Sequence, residues 1–133
     1  PVYGTGLNQR DWLHVGDHTK ALIHISKYGK IGEKYNIGLN KNLTNLSLVK
    51  KICRILDNEI LQQDKKFKHE SLIKFVKDRK GHDFKYAVNS NKLKKLKNFK
   101  YEKKFDDALL ETVRWNLRNK QWLIKSFKKK FNL

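Results

Sequence analysis

Several features of larger or secreted proteins are missing from this 133-residue sequence. No apolar run approaches the roughly 18 residues of a membrane span, so none is predicted. Cys53 is the single cysteine and can form no internal disulfide, which fits a reducing cytoplasm. No internal repeat and no Pro- or Gly-rich linker divides the chain, and residues 1–133 are predicted to form one domain. The chain opens on a turn-like YGTG without a signal segment, as if inside a larger domain.

The motifs of a complete dehydrogenase or hydrolase are also missing. No GxGxxG follows a predicted strand, so no dinucleotide-binding turn is expected. No tyrosine is followed four residues later by lysine; Tyr101 has Phe105 there. The five histidines are scattered, and no Cys/His cluster has metal-ligand spacing. We therefore predict no catalytic, cofactor-binding or metal-binding residues within this chain.

Positive charge is abundant, with a formal net charge of +18 that is concentrated after residue 49. Such asymmetry is typical of proteins that bind nucleic acid or anionic surfaces. However, 26 of the 31 basic residues are lysine and only five are arginine. Phosphate and base recognition favours arginine forks, whereas AT-rich coding bias fills solvated faces with lysine. We therefore expect the lysines to cover a solvated surface without a binding role. Nucleic-acid binding stays open as the alternative.

Helical periodicity and capping residues predict most of the helices. Asp17 is the expected N-cap of a first helix that Gly29 ends. Thr44 or Asn45 would cap a second helix that ends near Asp57. The remaining predictions are a short helix capped by Ser90 or Asn91 that ends near Leu96, a helix from about Lys104, and a frayed basic tail at 125–133.

Short apolar segments predict strands between these helices. Candidates are a strand or strand end within 10–15, a buried strand at 34–38, a strand at 72–76 and an extended piece at 84–88; residues 58–70 are predicted to form a loop. Alternating strands and helices indicate an α/β fold. Strands this short make a poor sheet alone and would be steadier at the edge of a larger one.

Three stretches, PVYGTGLNQRDWLHVGDHTKAL (1–22), GEKYNIGLNKNLTNLSLVK (32–50) and LIKFVKDRKGHDFKYAVNSNKL (72–93), together carry a family resemblance. They are similar to the C-terminal half of the extended short-chain dehydrogenases/reductases that act on nucleotide sugars. The DRKGHD loop followed by Tyr-Ala, and the later ETVRWNLRNKQW (111–122), resemble the dTDP-glucose 4,6-dehydratase branch of that family. The resemblance implies an α/β substrate-binding part with short strands and three to four helices, without the main Rossmann half.

This resemblance also implies a reaction for the full-length enzyme. NAD takes hydride from C4 of the sugar, water leaves across C5 and C6, and the hydride returns at C6. The implied catalytic residues lie upstream of residue 1, so this chain is expected to be inactive alone and to hold no NAD. Its implied partners are a nucleotide sugar such as dTDP-glucose, a missing N-terminal half and, in the full enzyme, a second copy in a homodimer. Exposed apolar surface is expected where the missing half would dock.

Residues that would hold the substrate are carried over from the matching motifs. Arg10 would pair with the diphosphate, since a guanidinium fork suits two phosphates, while Asn36 would hydrogen-bond the nucleotide. Arg79 and His82 would reach the diphosphate and nucleoside. The loop-shaping residues that the motif implies are Asp78, Gly81 and Asp83.

Each of these assignments has an ordinary alternative. Arg10 could instead bridge to Asp11 or Asp17 at the surface, Asn36 could satisfy a backbone contact, and DRKGHD could be a charged turn capped by its first residue. Three positions also depart from the family pattern, which has proline at Lys80 and an arginine pair at Phe84 and Lys85. A related epimerase or decarboxylase, or a dehydratase for another nucleotide, therefore stays open. The resemblance requires Arg10, Arg79 and His82 to meet in one cleft.

Overall fold

The computed structural model describes residues 1–60 and 66–131 of the chain. Over these ranges, five α-helices and a few short strands form an α/β arrangement. The predicted fold class is confirmed, but the expected number of three to four helices was too low. In chain order the elements are β1 (Val2–Tyr3), β2 (Gln9–Asp11), α1 (Val15–Tyr28), β3 (Asn42–Thr44), α2 (Asn45–Glu59), β4 (Phe75–Val76), α3 (Asn91–Lys95), α4 (Phe105–Arg118) and α5 (Lys120–Phe131), with single 3₁₀ turns at His69–Leu72 and Leu96–Asn98. Within the described ranges, no helix has the length and apolar composition needed to cross a bilayer.

The first helix begins earlier than predicted. His14 is its N-cap, and the imidazole Nδ1 accepts a hydrogen bond from the Gly16 amide at 3.1 Å. The prediction that Asp17 is the cap is wrong, because Asp17 lies within the first turn and is only 3 % exposed. Its carboxylate accepts instead from the Glu102 amide, 3.3 Å away. The predicted end at Gly29 is confirmed, since the Gly29 amide donates to the Ile25 carbonyl.

Helices α2 and α4 pack against each other. Thr44 caps α2 as predicted, and its hydroxyl accepts from the Ser47 amide at 3.1 Å. The Arg114 guanidinium of α4 binds both carboxylate oxygens of Glu59, each at 2.8 Å. The core itself is small: its buried apolar side chains are Val2, Ala21, Leu48, Cys53, Leu93, Ala108 and Val113.

The strands form two separate two-stranded sheets. Strand β1 runs parallel to β4, pairing Val2 with Phe75, and β2 runs antiparallel to β3, pairing Arg10 with Leu43. The strand predicted at 72–76 is therefore confined to its last two residues. The extended piece at 84–88 contributes one parallel bridge, between Gln9 and Lys85.

The strand predicted at 34–38 is absent, and that prediction is wrong. Side chains occupy the backbone groups that a neighbouring strand would need. The Ser90 hydroxyl donates to the Gly38 carbonyl at 2.5 Å, and the Tyr101 hydroxyl lies 3.1 Å from both the Gly38 amide and carbonyl. Gly38 is required here, because a Cβ would stand 2.4 Å from Val88 Cγ2.

The segment expected to fray from residue 125 is helical as far as Phe131, as part of α5. Trp115 and Trp122 meet edge to face across the α4–α5 turn, with ring centroids 5.2 Å apart, which ties α5 to α4. Residues 132–133 of that tail, and 61–65 of the loop predicted at 58–70, lie outside the described residues. Large apolar side chains are exposed elsewhere, including Val15, Ile31, Leu72, Phe75 and Phe84.

Candidate anion-binding site

The DRKGHD loop follows β4 and is folded around the Asp78 carboxylate. Asp78 Oδ1 accepts from the Arg79 amide at 2.8 Å and from His82 Nδ1 at 2.6 Å. The hydrogen bond to His82 is the main reason why the pKa of Asp78 is lowered from its ordinary value. Gly81 has a φ of +68°, a backbone conformation that suits glycine, and its Cβ position would face open space.

Arg79 is held by two neighbours that are not carboxylates. Its Nη2 lies 2.9 Å from His82 Nε2, and its guanidinium carbon stands 5.1 Å from the centroid of the Tyr3 ring. The His82 side chain is 5 % exposed, so the imidazole is enclosed beneath the loop. Arg79 thus has one edge and one face fixed while the residue stays exposed.

Arg10, on β2, reaches the end of the same loop. Its Nη2 donates to the Asp83 carbonyl at 2.9 Å, and its Nη1 donates to the Gln9 carbonyl at 2.7 Å. The guanidinium carbon lies 4.5 Å from the centroid of the Tyr86 ring. The Tyr86 hydroxyl donates to the Asp83 carboxylate, and this bond is the main cause that raises the pKa of Tyr86. The positive charges of Arg10 and Arg79 oppose this rise in the pKa of Tyr86.

The alternative in which Arg10 bridges to a nearby aspartate is wrong. Asp11 accepts from the amides of Leu39 and Asn40 at 3.1 and 2.9 Å, and Asp17 binds the Glu102 amide. We call Arg10 and Arg79 together the arginine pair. Within residues 1–60 and 66–131, no carboxylate forms an ion pair with either of them. The arginine pair therefore carries two charges that the described carboxylates leave without an ion-pair partner.

Asn36 lies apart from the arginine pair. Its amide donates to the Asn89 carbonyl at 3.4 Å, and the residue is exposed. Asn89 belongs to the segment that bonds Gln9 through the Tyr86 amide, three residues earlier. Three residues in an extended conformation span roughly 10 Å, which is the distance expected between Tyr86 and Asn89. Asn36 therefore binds the same segment as Gln9, but further along it, and makes no contact with the arginine pair. The structure thus brings Arg10 to Asp83 and Arg79 to His82 on one loop, whereas Asn36 lies outside this group.

Three supporting residues were missed by the sequence analysis. The Tyr86 ring faces the Arg10 guanidinium, and the Tyr3 ring faces that of Arg79. The third residue, Asn8, binds the end of the loop. Asn8 is 5 % exposed, and its amide donates to the Asp83 carbonyl at 3.3 Å. The available signal was position: both tyrosines stand inside the motifs that supplied the arginines.

The described residues form neither a strand, glycine turn and helix in succession after β1 nor a cluster of metal ligands. The glycine turn after β1 leads into β2 and not into a helix, and α1 is capped by a histidine side chain. A Rossmann site needs a strand, a glycine-rich turn and a helix N-terminus in succession. Over the two described ranges, no group of three potential ligands could hold a metal ion.

Comparisons with known proteins agree with the fold and the motifs. Residues 1–112 match the family described as GDP-mannose 4,6 dehydratase. A probable dTDP-glucose 4,6-dehydratase of Sinorhizobium fredii is 44 % identical over 92 % of this chain and 34 % of the relative. An Escherichia coli dTDP-glucose 4,6-dehydratase is 42 % identical over the same share of each chain.

Solved structures give the same result. The dTDP-glucose 4,6-dehydratase of Bacillus anthracis, in complex with NAD, superposes with a TM-score of 0.79 and 39 % identity over 92 % of this chain and 35 % of that chain. The Streptomyces venezuelae enzyme with NAD and TYD bound gives 0.78 and 34 % over the same shares. The chain thus spans about a third of the length of these relatives. With a family match over residues 1–112, this chain belongs to the GDP-mannose 4,6-dehydratase family.

Proposed function

We propose that this chain is the nucleotide-sugar-binding part of a dTDP-glucose 4,6-dehydratase-like enzyme, in which Arg10 and Arg79 hold the diphosphate of the substrate. One observation carries the proposal. Two guanidinium groups from distant parts of the sequence bind neighbouring residues of one loop, and the described carboxylates form no ion pair with either.

The partners of the arginine pair favour anion binding over a structural ion pair. Carbonyl oxygens, an imidazole nitrogen and two ring faces orient the guanidinium groups without neutralising them. An oriented guanidinium presents its remaining N–H groups as a planar fork, which matches phosphate oxygens. By contrast, Arg114 of α4 donates from Nε and Nη2 to the Glu59 carboxylate, which neutralises its charge in an ordinary ion pair.

This proposal places the catalytic residues outside the present chain. The complete enzyme would bind NAD and oxidise, dehydrate and reduce the sugar with residues outside this third of the relatives' length. It would act in the cytoplasm, pair with a second copy, and need its N-terminal half for activity. Asn36 would contact the nucleoside, because it lies along the extended segment that leads away from the arginine pair.

Titration of the ¹⁵N-labelled chain with dTDP tests this proposal. We expect saturable shifts at Arg10, Arg79 and Asn36 in the millimolar range, since only part of the pocket is present. Arg10→Ala and Arg79→Ala should each weaken binding. Arg118→Ala, an exposed arginine near the end of α4, is the matched control and should not. No shift near the arginine pair at high dTDP contradicts the proposal, and UDP and GDP titrations compare the bases.

A basic nucleic-acid-binding module is the second candidate, because Trp115 and Trp122 are 48 % and 56 % exposed on a lysine-rich chain. Exposed aromatic rings among cations can stack on bases. This candidate requires filter retention of single-stranded DNA or RNA that falls steeply between low and high salt. No retention at low salt removes it.

A further inference from the structure

We propose that His82 does not contact the ligand but is a positioning residue that fixes Arg79, through a neutral imidazole whose proton is held on Nδ1 by Asp78. This inference rests on the proposed function for its meaning, although its first test does not. It departs from the expectation, carried by the motif, that His82 itself reaches the diphosphate or nucleoside.

The partners of the two ring nitrogens determine the tautomer. Arginine stays protonated and only donates, so the 2.9 Å contact between Arg79 Nη2 and His82 Nε2 requires a lone pair on Nε2. The ring proton then belongs to Nδ1, where the Asp78 carboxylate accepts it at 2.6 Å. Both nitrogens are occupied and the side chain is 5 % exposed, which leaves His82 no free group for a ligand.

Asp78 is itself held in place by the turn after β1. Its Oδ1 accepts from the Arg79 amide, and its Oδ2 lies 2.7 Å from the point where a Cβ on Gly4 would stand. The Gly4 amide donates to the Val76 carbonyl at 2.9 Å, which joins this turn to the end of β4. The Oδ2 side of the carboxylate therefore lies against this turn, and its Oδ1 orients the imidazole.

Arg79 is consequently oriented before any ligand arrives. His82 holds one edge of the guanidinium, and Tyr3 covers one face from a strand paired with β4. A side chain that is already ordered loses less conformational entropy when it binds. The contribution of His82 to affinity should therefore pass entirely through Arg79.

The tautomer can be measured without ligand on the full 133-residue chain labelled with ¹⁵N-histidine. Long-range ¹H–¹⁵N spectra at neutral pH should show His82 protonated on Nδ1 and unprotonated on Nε2. Asp78→Ala should weaken this preference, because only Arg79 would then favour the form protonated on Nδ1. A wild-type His82 protonated on Nε2, or one that averages between the two forms, overturns the inference whether or not dTDP binds.

A double-mutant cycle with inorganic pyrophosphate as the probe tests the route through Arg79. His82→Ala should lower affinity about three- to tenfold, the size expected for one hydrogen bond. His82→Gln should recover part of the loss, because an amide can donate to Asp78 and accept from Arg79. In an Arg79→Ala background, His82→Ala should change nothing further.

The cycle also separates the two proposals. Equal losses from His82→Ala with and without Arg79 would mean that His82 touches the ligand, and the inference would be wrong. If the wild-type chain fails to bind pyrophosphate and dTDP, the proposed function fails, and the tautomer measurement alone decides the inference.

Discussion

Replacing Gly4 with alanine would test how closely the DRKGHD loop is held against the turn after β1. Gly4 has a φ of +55°, where an alanine costs about 1–2 kcal/mol of backbone strain. The added Cβ would also stand 2.7 Å from Asp78 Oδ2, whereas ordinary contacts begin at 3.4 Å. The carboxylate would have to retreat by about 0.7 Å, and a shift of that size away from His82 would stretch the 2.6 Å bond between Asp78 Oδ1 and His82 Nδ1 beyond good hydrogen-bond length.

Gly32→Ala is the matched control for this change. Gly32 has a φ of +79°, but a Cβ there would meet nothing within 4 Å, so the variant carries backbone strain without the collision. Backbone strain alone should lower the urea midpoint by about 0.5–1 M. Gly4→Ala should lower it further, and only Gly4→Ala should change the His82 ring signals and weaken pyrophosphate binding. Equal midpoints for the two variants, with His82 unchanged in both, would refute the reasoning.

Two further predictions concern the helical part of the chain. Burial is the main cause that raises the pKa of the Cys53 thiol, and the residue is 7 % exposed. A disulfide reagent at pH 8 should therefore modify this thiol slowly in the folded chain and quickly in urea. Fast modification of the folded chain would contradict its burial. The hydrogen bonds from Arg114 lower the pKa of the Glu59 carboxyl from its ordinary value of 4.5. This ion pair therefore stabilises the folded state at a pH above 4.5, and its contribution is lost as the pH falls through the lowered pKa. Arg114→Ala should therefore destabilise the chain at pH 7 and progressively less below pH 4.5 in urea titrations, with Arg118→Ala as the control; a pH-independent difference would contradict this assignment.

The helices could be predicted from sequence because their signals are local. Thr44 and Gly29 act through amides within four residues, and the apolar spacing of α4 is visible in its own sequence. Asp17 misled the prediction because an aspartate near a helix start is usually a cap, whereas this one binds the Glu102 amide 85 residues away. No local pattern reports such a partner.

Strands depended on pairing that the sequence does not display. Residues 34–38 have the composition of a strand, but Ser90 and Tyr101 take the Gly38 backbone groups first. Residues 42–44 were not recognised as a strand, although Leu43 pairs with Arg10. Whether a short segment becomes a strand here is decided by which distant side chain or backbone reaches it.

For the candidate site, the motifs identified the charged residues but not what supports them. The convergence of Arg10 with the 79–83 loop followed from the resemblance, since composition alone does not distinguish these arginines from others. The ring faces of Tyr3 and Tyr86 depend on tertiary position, because each stands over an arginine from another segment.

The loop that carries Arg79 closes against residues more than 70 positions earlier, through Asn8 and Arg10. In a chain that has formed its helices but not these long-range contacts, Arg10 is not yet brought to the loop that carries Arg79. Diphosphate binding would then report complete folding, and a ligand that prefers the folded chain should rescue weakened variants by an amount that grows with the logarithm of its concentration.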